Sequence, residues 1–394
     1  MHILLTLNIS NADDVAADSG VIFCRIITKQ LSDSGHRVAV LGPQIAERQF
    51  VGIENLTYIH MPLLSTKYSA RLHFNWFTTK DVIEHLYPDL LLLNQIELVT
   101  HFRALVSELG PPIPRIAAYC HYIPAKRNRN PDSSEEVDAS LNHGGLGISM
   151  QLACIQGVCA ADIVLVQSNY AREALLALAS RYGIASLKDP IVAPPPRDPM
   201  FVRSHGLRPP PNRTVVYNHR LYEHYGTWDF LRLAKQLRTL IPYDLIFCDP
   251  MPNRSMGRDR LDPSVSAIKR YIASERLGIV IPGSDRVAYR LAMTSARVGF
   301  SSLQHHCVWS MSVVDSLGLG IPVIAPNHSA FPEMVPLDCL FISTEEAAER
   351  AATLLSDDMM WSRASETALY MTRTWTSESF CNILFAALGG VPTR

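Results

Sequence analysis

The stretch Thr214-Val215-Val216-Tyr217-Asn218-His219-Arg220-Leu221-Tyr222-Glu223-His224-Tyr225-Gly226 decides the architecture. Its opening, Thr214–Asn218, is short, β-branched and aromatic, which predicts a strand. Polar groups then crowd together and a glycine ends the run. A strand that delivers polar side chains at its carboxyl end belongs to a parallel sheet, where ligands lie beyond those ends. Downstream the pattern returns at Asp244–Cys248, Gly278–Ile281, Val298–Ser301, Pro322–Ala325 and Leu340–Ile342, with a helix over Val313–Leu317. Upstream, strands are predicted at His2–Leu7, Arg37–Leu41, Leu56–His60, Leu90–Leu93, Arg115–Ala118 and Ile163–Val166. Helical spacing covers Val21–Ser34, Ile148–Ala160 and Ala171–Ala179. This rhythm predicts an α/β chain of two similarly built domains in series, each with a mainly parallel sheet covered on both faces.

Eight prolines lie between Pro190 and Pro211. They mark the boundary, because proline removes backbone donors and fixes the chain. The predicted organisation is a first domain over 1–195, a linker over 196–212 and a second domain over 213–370. A final helix over 371–394 crosses back to the first domain. Lys126–Gly147 reads as a long surface loop.

Composition narrows the function. The chain has 394 residues, 47% apolar and 19% charged, enough for two cores. Lysine plus arginine number 36 and aspartate plus glutamate 37, so the net charge of -1 excludes a polycation that coats nucleic acid. No run of 18 apolar residues predicts a membrane span. The opening MHILLTLNISNADD has no basic flank and reads as a strand rather than a signal peptide. Eight scattered cysteines without a CxxC pair read as reduced, mostly buried thiols, and a cytoplasmic protein is expected. No metal is expected: His305 and His306 are consecutive and do not converge, and no acidic cluster completes a tetrahedron.

The candidate site residues follow strand ends. Gly20 opens a helix whose free N–H groups suit a phosphate, although a plain strand-to-helix turn explains it as well. His121 follows Arg115–Ala118 and is suited to hydrogen bonding or proton transfer; a satisfied structural histidine is the plainer reading. Lys126, Arg127 and Arg129 stand beside it as acceptor-binding candidates, or as a solvated loop edge. Arg220 offers the forked contact that a diphosphate needs, with an interdomain salt bridge as its alternative. After Val298–Ser301 come Gln304 and His306, then Ser310 and Ser312, small enough for a ligand to approach helix N–H groups. Asp315, read near the first helical turn, is placed to accept from sugar hydroxyls or simply to favour the helix start.

Several segments together resemble one family. They are Gly20-x-x-x-x-Arg25 with Leu31-x-x-x-Gly35-His36-x-Val38-x-Val40, Ala161-Asp162-x-Val164-x-x-x-Ser168, and Arg220-Leu221 before Gly226. The last is Ser316-x-Gly318-x-Gly320-Ile321-Pro322-Val323-Ile324-Ala325. In this order they resemble the retaining nucleotide-sugar glycosyltransferases of the glycogen-synthase-like GT-B group, over nearly the full chain. The resemblance implies two facing Rossmann-like domains with parallel central sheets. It also implies a nucleoside diphosphate sugar as donor substrate, no cofactor, and catalysis by His121 and Arg220. Donor contacts would come from Gly20, Arg220, Gln304, His306, Ser310, Ser312 and Asp315. Three positions depart from the pattern. Tyr225 stands where such enzymes carry lysine, and Cys307 and Asp315 stand where they carry two glutamates. Asn218-His219-Arg220 also resembles the branch that glycosylates modified nucleosides.

The leading expectation is retaining transfer of a hexose-like sugar to a hydroxyl of a small molecule, glycan or lipid-linked acceptor. The alternative acceptor is a modified base in DNA or RNA, held by Lys126, Arg127 and Arg129 with Arg254, Arg258 and Arg260. Cys307 and Tyr225 motivate a third reading, a non-catalytic sugar-nucleotide binding protein, and an epimerase of related fold remains beside it.

Overall fold

The computed structural model describes residues 1–7, 9, 15–63, 71–124, 146–184, 187–203, 208–249 and 263–389. The chain divides into two compact units, Met1–Pro196 with Thr376–Arg394, and Arg197–Trp375. The first unit is built on strands β1 (His2–Thr6), β2 (Arg37–Pro43), β3 (Leu56–Met61), β4 (Leu90–Leu93), β5 (Arg115–Tyr119), β6 (Ile163–Val166) and β7 (Ile191–Val192). They form one parallel sheet in the order β3-β2-β1-β4-β5-β6-β7. Its centre is apolar on both faces: all four leucines of β4 are buried. Such continuous apolar runs are what a parallel sheet covered by helices requires.

Those helices are α1 (Ser19–Asp33), α2 (Trp76–Leu86), α3 (Val99–Leu109), α4 (Leu146–Ala160) and α5 (Asn169–Arg181). Small polar side chains start them: Asp18 caps α1, Asn75 caps α2 and Ser168 caps α5.

The second unit carries β8 (Thr214–Tyr217), β9 (Asp244–Asp249), β10 (Ile279–Pro282), β11 (Val298–Phe300), β12 (Val323–Pro326) and β13 (Leu340–Phe341). These also pair in parallel, in the order β10-β9-β8-β11-β12-β13. Its helices are α6 (Thr227–Leu240), α7 (Ser264–Ser274), α8 (Arg286–Thr294), α9 (Met311–Gly318), α10 (Phe331–Met334), α11 (Thr344–Ser356) and α12 (Asp358–Met371). The last helix, α13 (Ser377–Gly389), packs on α1 of the first unit. Phe380 meets the rings of Phe23 and Tyr119 edge-on, and Ser377 donates to Gln30 at 2.8 Å.

The proline-rich stretch does not act as an open connection. Ile191–Val192 pairs with β6, and Arg197–Arg203 of the expected linker belongs to the second unit. Arg203 N donates to the Gly318 carbonyl at 2.9 Å. A Cβ on Gly318 would lie 2.3 Å from the Phe201 carbonyl oxygen, so only glycine lets α9 come this close. Among the described residues, no helix is long and apolar enough to cross a membrane.

Candidate functional site

In each sheet the strand order reverses beside the unit's first strand. The reversal falls between β1 and β4 in the first unit and between β8 and β11 in the second. Open parallel sheets bind ligands in the crevice at such a point, because connections leave to opposite faces and expose the strand ends. Arg220 and Ser302 lie just past the second of these points, and Asn94 lies just past the first. His121 follows the neighbouring strand β5.

In the second unit, β8 ends in three side chains with different jobs. Asn218 Nδ2 donates to the Tyr289 hydroxyl and to the Ser312 carbonyl, each at 2.8 Å, and so ties the strand end to α8 and α9. His219 Nε2–H donates to the Phe300 carbonyl at 3.0 Å. Burial lowers its pKa to about 4 against the pull of that hydrogen bond, so it is a neutral crosslink between β8 and β11. Arg220 is half-buried between these fixed neighbours and the turn that follows. The turn ends at Gly226, whose φ is +73° and whose Cβ would meet Leu303 at 2.8 Å. That close approach lets Leu303 N donate to the Tyr225 carbonyl at 2.9 Å. Tyr225 joins Tyr222 and His224 in a group of ring contacts.

The second wall is the β11–α9 connection. Ser310 caps α9, its hydroxyl accepting from Val313 N at 3.4 Å. Ser312 is half-buried in the first turn. Asp315 lies two residues deeper in the helix than its sequence reading placed it, beyond the first turn, because α9 starts at Met311. Its carboxylate is buried and faces Arg286 of α8 at 3.4 Å. Arg286 also pairs with Asp198 at 3.3 Å and lies over the Phe201 ring. Burial raises the Asp315 pKa to about 7; Arg286 pulls it down and Asp198 pushes it further up. Asp315 Oδ1, Ser302 Oγ and Trp309 Nε1 are buried without a hydrogen-bond partner. Unsatisfied polar atoms cost free energy unless something fills them, and at a strand-end crevice a ligand is the natural complement. Gln304 and His306 are half-buried in the same connection, whereas Cys307 is fully buried and packs as an apolar side chain.

In the first unit, His121 Nε2–H donates to Asn94 Oδ1, and Asn94 N donates to Thr6 Oγ1 at 3.2 Å. The imidazole meets Tyr119 and Phe23 edge-on, with ring centres 4.4 and 4.8 Å apart. Burial first, then the charge of Arg71, lowers its pKa to about 3. The ring therefore stays neutral near pH 7, with Nδ1 as an acceptor, which leaves hydrogen bonding rather than proton transfer as its chemistry. Gly20 N is already used: it donates to its own cap, Asp18 Oδ1, at 2.9 Å. An anion at this helix start would have to displace a carboxylate. Lys126, Arg127 and Arg129, with Arg254, Arg258 and Arg260, lie outside the described residues.

Asn94, Asn218, Arg286 and Asp198 were not singled out as site residues by the sequence. The first two follow strand ends, a signal that could have flagged them. Arg286 and Asp198 are joined to Asp315 only by the fold. Among the described residues, no group of three His, Cys, Asp or Glu side chains could hold a metal.

No protein-family model and no curated protein matches the sequence. Solved structures do match across the whole chain. Sucrose-phosphate synthase from Thermosynechococcus elongatus is 13% identical, with all of both chains covered and a TM-score of 0.71. Anabaena HepE, solved with UDP and glucose, is 14% identical over 99% of each chain, with a TM-score of 0.68. The trehalose 6-phosphate synthase of Burkholderia multivorans is 14% identical over 99% of this chain and 98% of its own, with a TM-score of 0.66. Two parallel sheets flanked by helices, matched end to end by these glycosyltransferases, give the chain the GT-B fold.

Proposed function

We propose that the chain is a nucleotide-sugar-dependent glycosyltransferase that moves a hexose-like sugar, with retention, from a nucleoside diphosphate to a hydroxyl. The observation that carries this reading is the second crevice. There Arg220 follows β8 and the buried, unpartnered Ser302 Oγ follows β11, at the strand-order reversal of a GT-B chain, and two more unpartnered polar atoms, Trp309 Nε1 and Asp315 Oδ1, belong to the chain that continues from β11 into α9. Arg220 binds the diphosphate and offsets the charge it gains as the sugar–oxygen bond breaks. Asp315 accepts from the ribose hydroxyls. Ser310, Ser312, Gln304 and His306 line the donor. Gly20 could offer its N–H to a phosphate only by displacing Asp18.

His121 presents Nδ1 to a sugar hydroxyl, held in place by Asn94. The acceptor oxygen attacks the anomeric carbon on the face the diphosphate leaves, and the acceptor proton passes to a departing phosphate oxygen. Neither an enzymic nucleophile nor a metal enters these steps. HepE, with the same fold, has been solved with UDP-glucose, which supports a uridine donor as the first to test. A panel of UDP-, GDP- and ADP-sugars, offered with small-molecule and nucleic-acid extracts and read by mass spectrometry, tests the proposal. A sugar-sized mass gain is expected in one acceptor fraction. No transfer and no donor hydrolysis with any of the panel would refute it.

A further inference from the structure

Asp315 belongs to a buried polar chain that runs through the second unit. Asn218, at the end of β8, donates to the Tyr289 hydroxyl at 2.8 Å. That hydroxyl lies beside the Asp315 carboxyl and favours its ionised form. Asp315 Oδ2 lies 3.4 Å from Arg286, and Arg286 lies 3.3 Å from Asp198. Both carboxylates are buried, and the Arg286 side chain is 15% exposed. Its guanidinium lies over the rings of Phe201 and Tyr289. Those rings share an apolar cluster with Met293, Leu319 and Ile321, so little solvent screens these charges.

One guanidinium thus faces two carboxylates. A committed arginine–carboxylate contact closes to about 2.7–2.9 Å. Both contacts here are longer, so the cation is divided between Asp198 and Asp315. Asp198 is fixed by a second task, because its Oδ1 accepts from Met200 N at 3.0 Å and caps the Pro199–Phe201 turn. Asp315 offers Oδ2 to Arg286, and its Oδ1 is left unpartnered.

The other charges near Asp315 are few. β11 and β12, on which α9 packs, carry no ionisable side chain. Those of α12, namely Asp358, Arg363, Glu366 and Tyr370, are exposed, as is Arg373 in the turn that follows. On α8, Asp285 is exposed and caps the helix, and Arg290 lies one turn beyond Arg286. Among the described residues, Arg286, Asp198 and Tyr289 act most strongly on Asp315.

We propose that Arg286 is a positioning residue of the donor site: it fixes Asp315 through Oδ2 and leaves Oδ1 to the ribose hydroxyls, with Asp198 dividing its charge. This rests on the glycosyltransferase reading above and adds a residue to its donor side. One planar fork reaches two carboxylates while stacking on two rings, which the point charge of a lysine cannot do. The two partners act in opposite senses. Arg286 favours the ionised Asp315 and Asp198 disfavours it. A residue that only supported the fold would weaken donor binding without moving its pH dependence.

The test uses the full chain and whichever of UDP-, GDP- and ADP-glucose the parent binds most tightly, with affinity measured by calorimetry between about pH 6 and 8. The variants are Arg286→Met, Arg286→Lys and Asp198→Asn, with circular dichroism as folding control. Asparagine keeps the turn cap. Parental affinity should be half-maximal at about pH 7. Arg286→Met should move that midpoint up by about one pH unit and weaken binding about fivefold at pH 7. Asp198→Asn should move it down by about as much and strengthen binding nearly twofold at pH 7. Arg286→Lys should hold the midpoint near the parental value yet bind about fivefold more weakly at pH 8, for want of the fork. A midpoint that neither Arg286→Met nor Asp198→Asn moves, or that both move the same way, overturns the proposal. If Arg286→Met does not fold, Asp198→Asn decides alone, and parental or weakened binding at pH 7 overturns it. A chain that binds none of the three nucleotide sugars refutes the glycosyltransferase reading and the role of Arg286 with it. Donor binding with an unmoved midpoint refutes the role of Arg286 alone, so the two failures are distinct.

Discussion

Replacing Asp315 by asparagine should abolish a pH dependence of donor binding that the parent displays. The parental carboxyl is 4% exposed, its Oδ2 sits 3.4 Å from Arg286, and its Oδ1 has no partner. Burial lifts its pKa to about 7 despite the arginine. Ribose hydroxyls donate best to the ionised carboxylate, which accepts on both oxygens. With a pKa of about 7, roughly one molecule in eleven is ionised at pH 6 and ten in eleven at pH 8. If the ionised form alone binds well, affinity rises about tenfold across that interval. UDP-glucose is the right ligand, because its diphosphate diester does not titrate there. Isothermal calorimetry in buffers of different ionisation enthalpy should show nearly one proton released per donor bound at pH 6. Half-buried His121 and buried His219 are held neutral, with pKa values of about 3 and 4, and cannot supply this signal. Equal parental affinity at pH 6 and pH 8, or an Asp315→Asn variant that keeps the tenfold rise, would refute the assignment.

The same carboxyl sets a stability trend. Its folded pKa of about 7 exceeds the ordinary aspartate value of 3.8, so the unfolded chain releases the proton first and stability falls as pH rises from about 4 through 7. The loss is at most about 4 kcal/mol, and urea titrations of Asp315→Asn should be flatter over this window. Arg220→Lys should keep the fold yet lose much of the turnover, and Arg220→Ala should lose about a hundredfold or more. Product formation and circular dichroism check both, and parental transfer by folded Arg220→Ala removes this residue from the site. His121→Ala should lower transfer with little change in nucleotide affinity or in the position of the pH optimum, which steady-state kinetics and UDP binding measure together. Gly318→Ala should cost about 2 kcal/mol or more, because its new Cβ would stand 2.3 Å from the Phe201 carbonyl oxygen; a parental melting temperature contradicts the close packing of α9.

Much of the fold was legible because strands buried on both faces announce themselves. Leu90–Leu93 and Ile163–Val166 were predicted to the residue, since nothing but a covered parallel sheet tolerates such apolar runs. The two-residue strand Ile191–Val192 was not: among prolines it has no periodicity of its own, and its partner β6 defines it. At the site, His121 and Arg220 could be singled out because each follows a strand, a local signal. Asp315 was visible but set two residues too shallow, since Ser310, its helix's cap, is followed by no acidic first turn to mark the start. Arg286 and Asp198 were silent. They lie 29 and 117 positions from Asp315, and they matter only because α9, α8 and the Asp198 turn converge. The deeper reason is that a sequence gives the strands in chain order, whereas the crevice depends on their order in space. In both units the fourth strand of the sheet lies beside the first. That return brings Thr6 to Asn94 and His219 to the Phe300 carbonyl, one hydrogen bond in each crevice closing the gap between chain order and site.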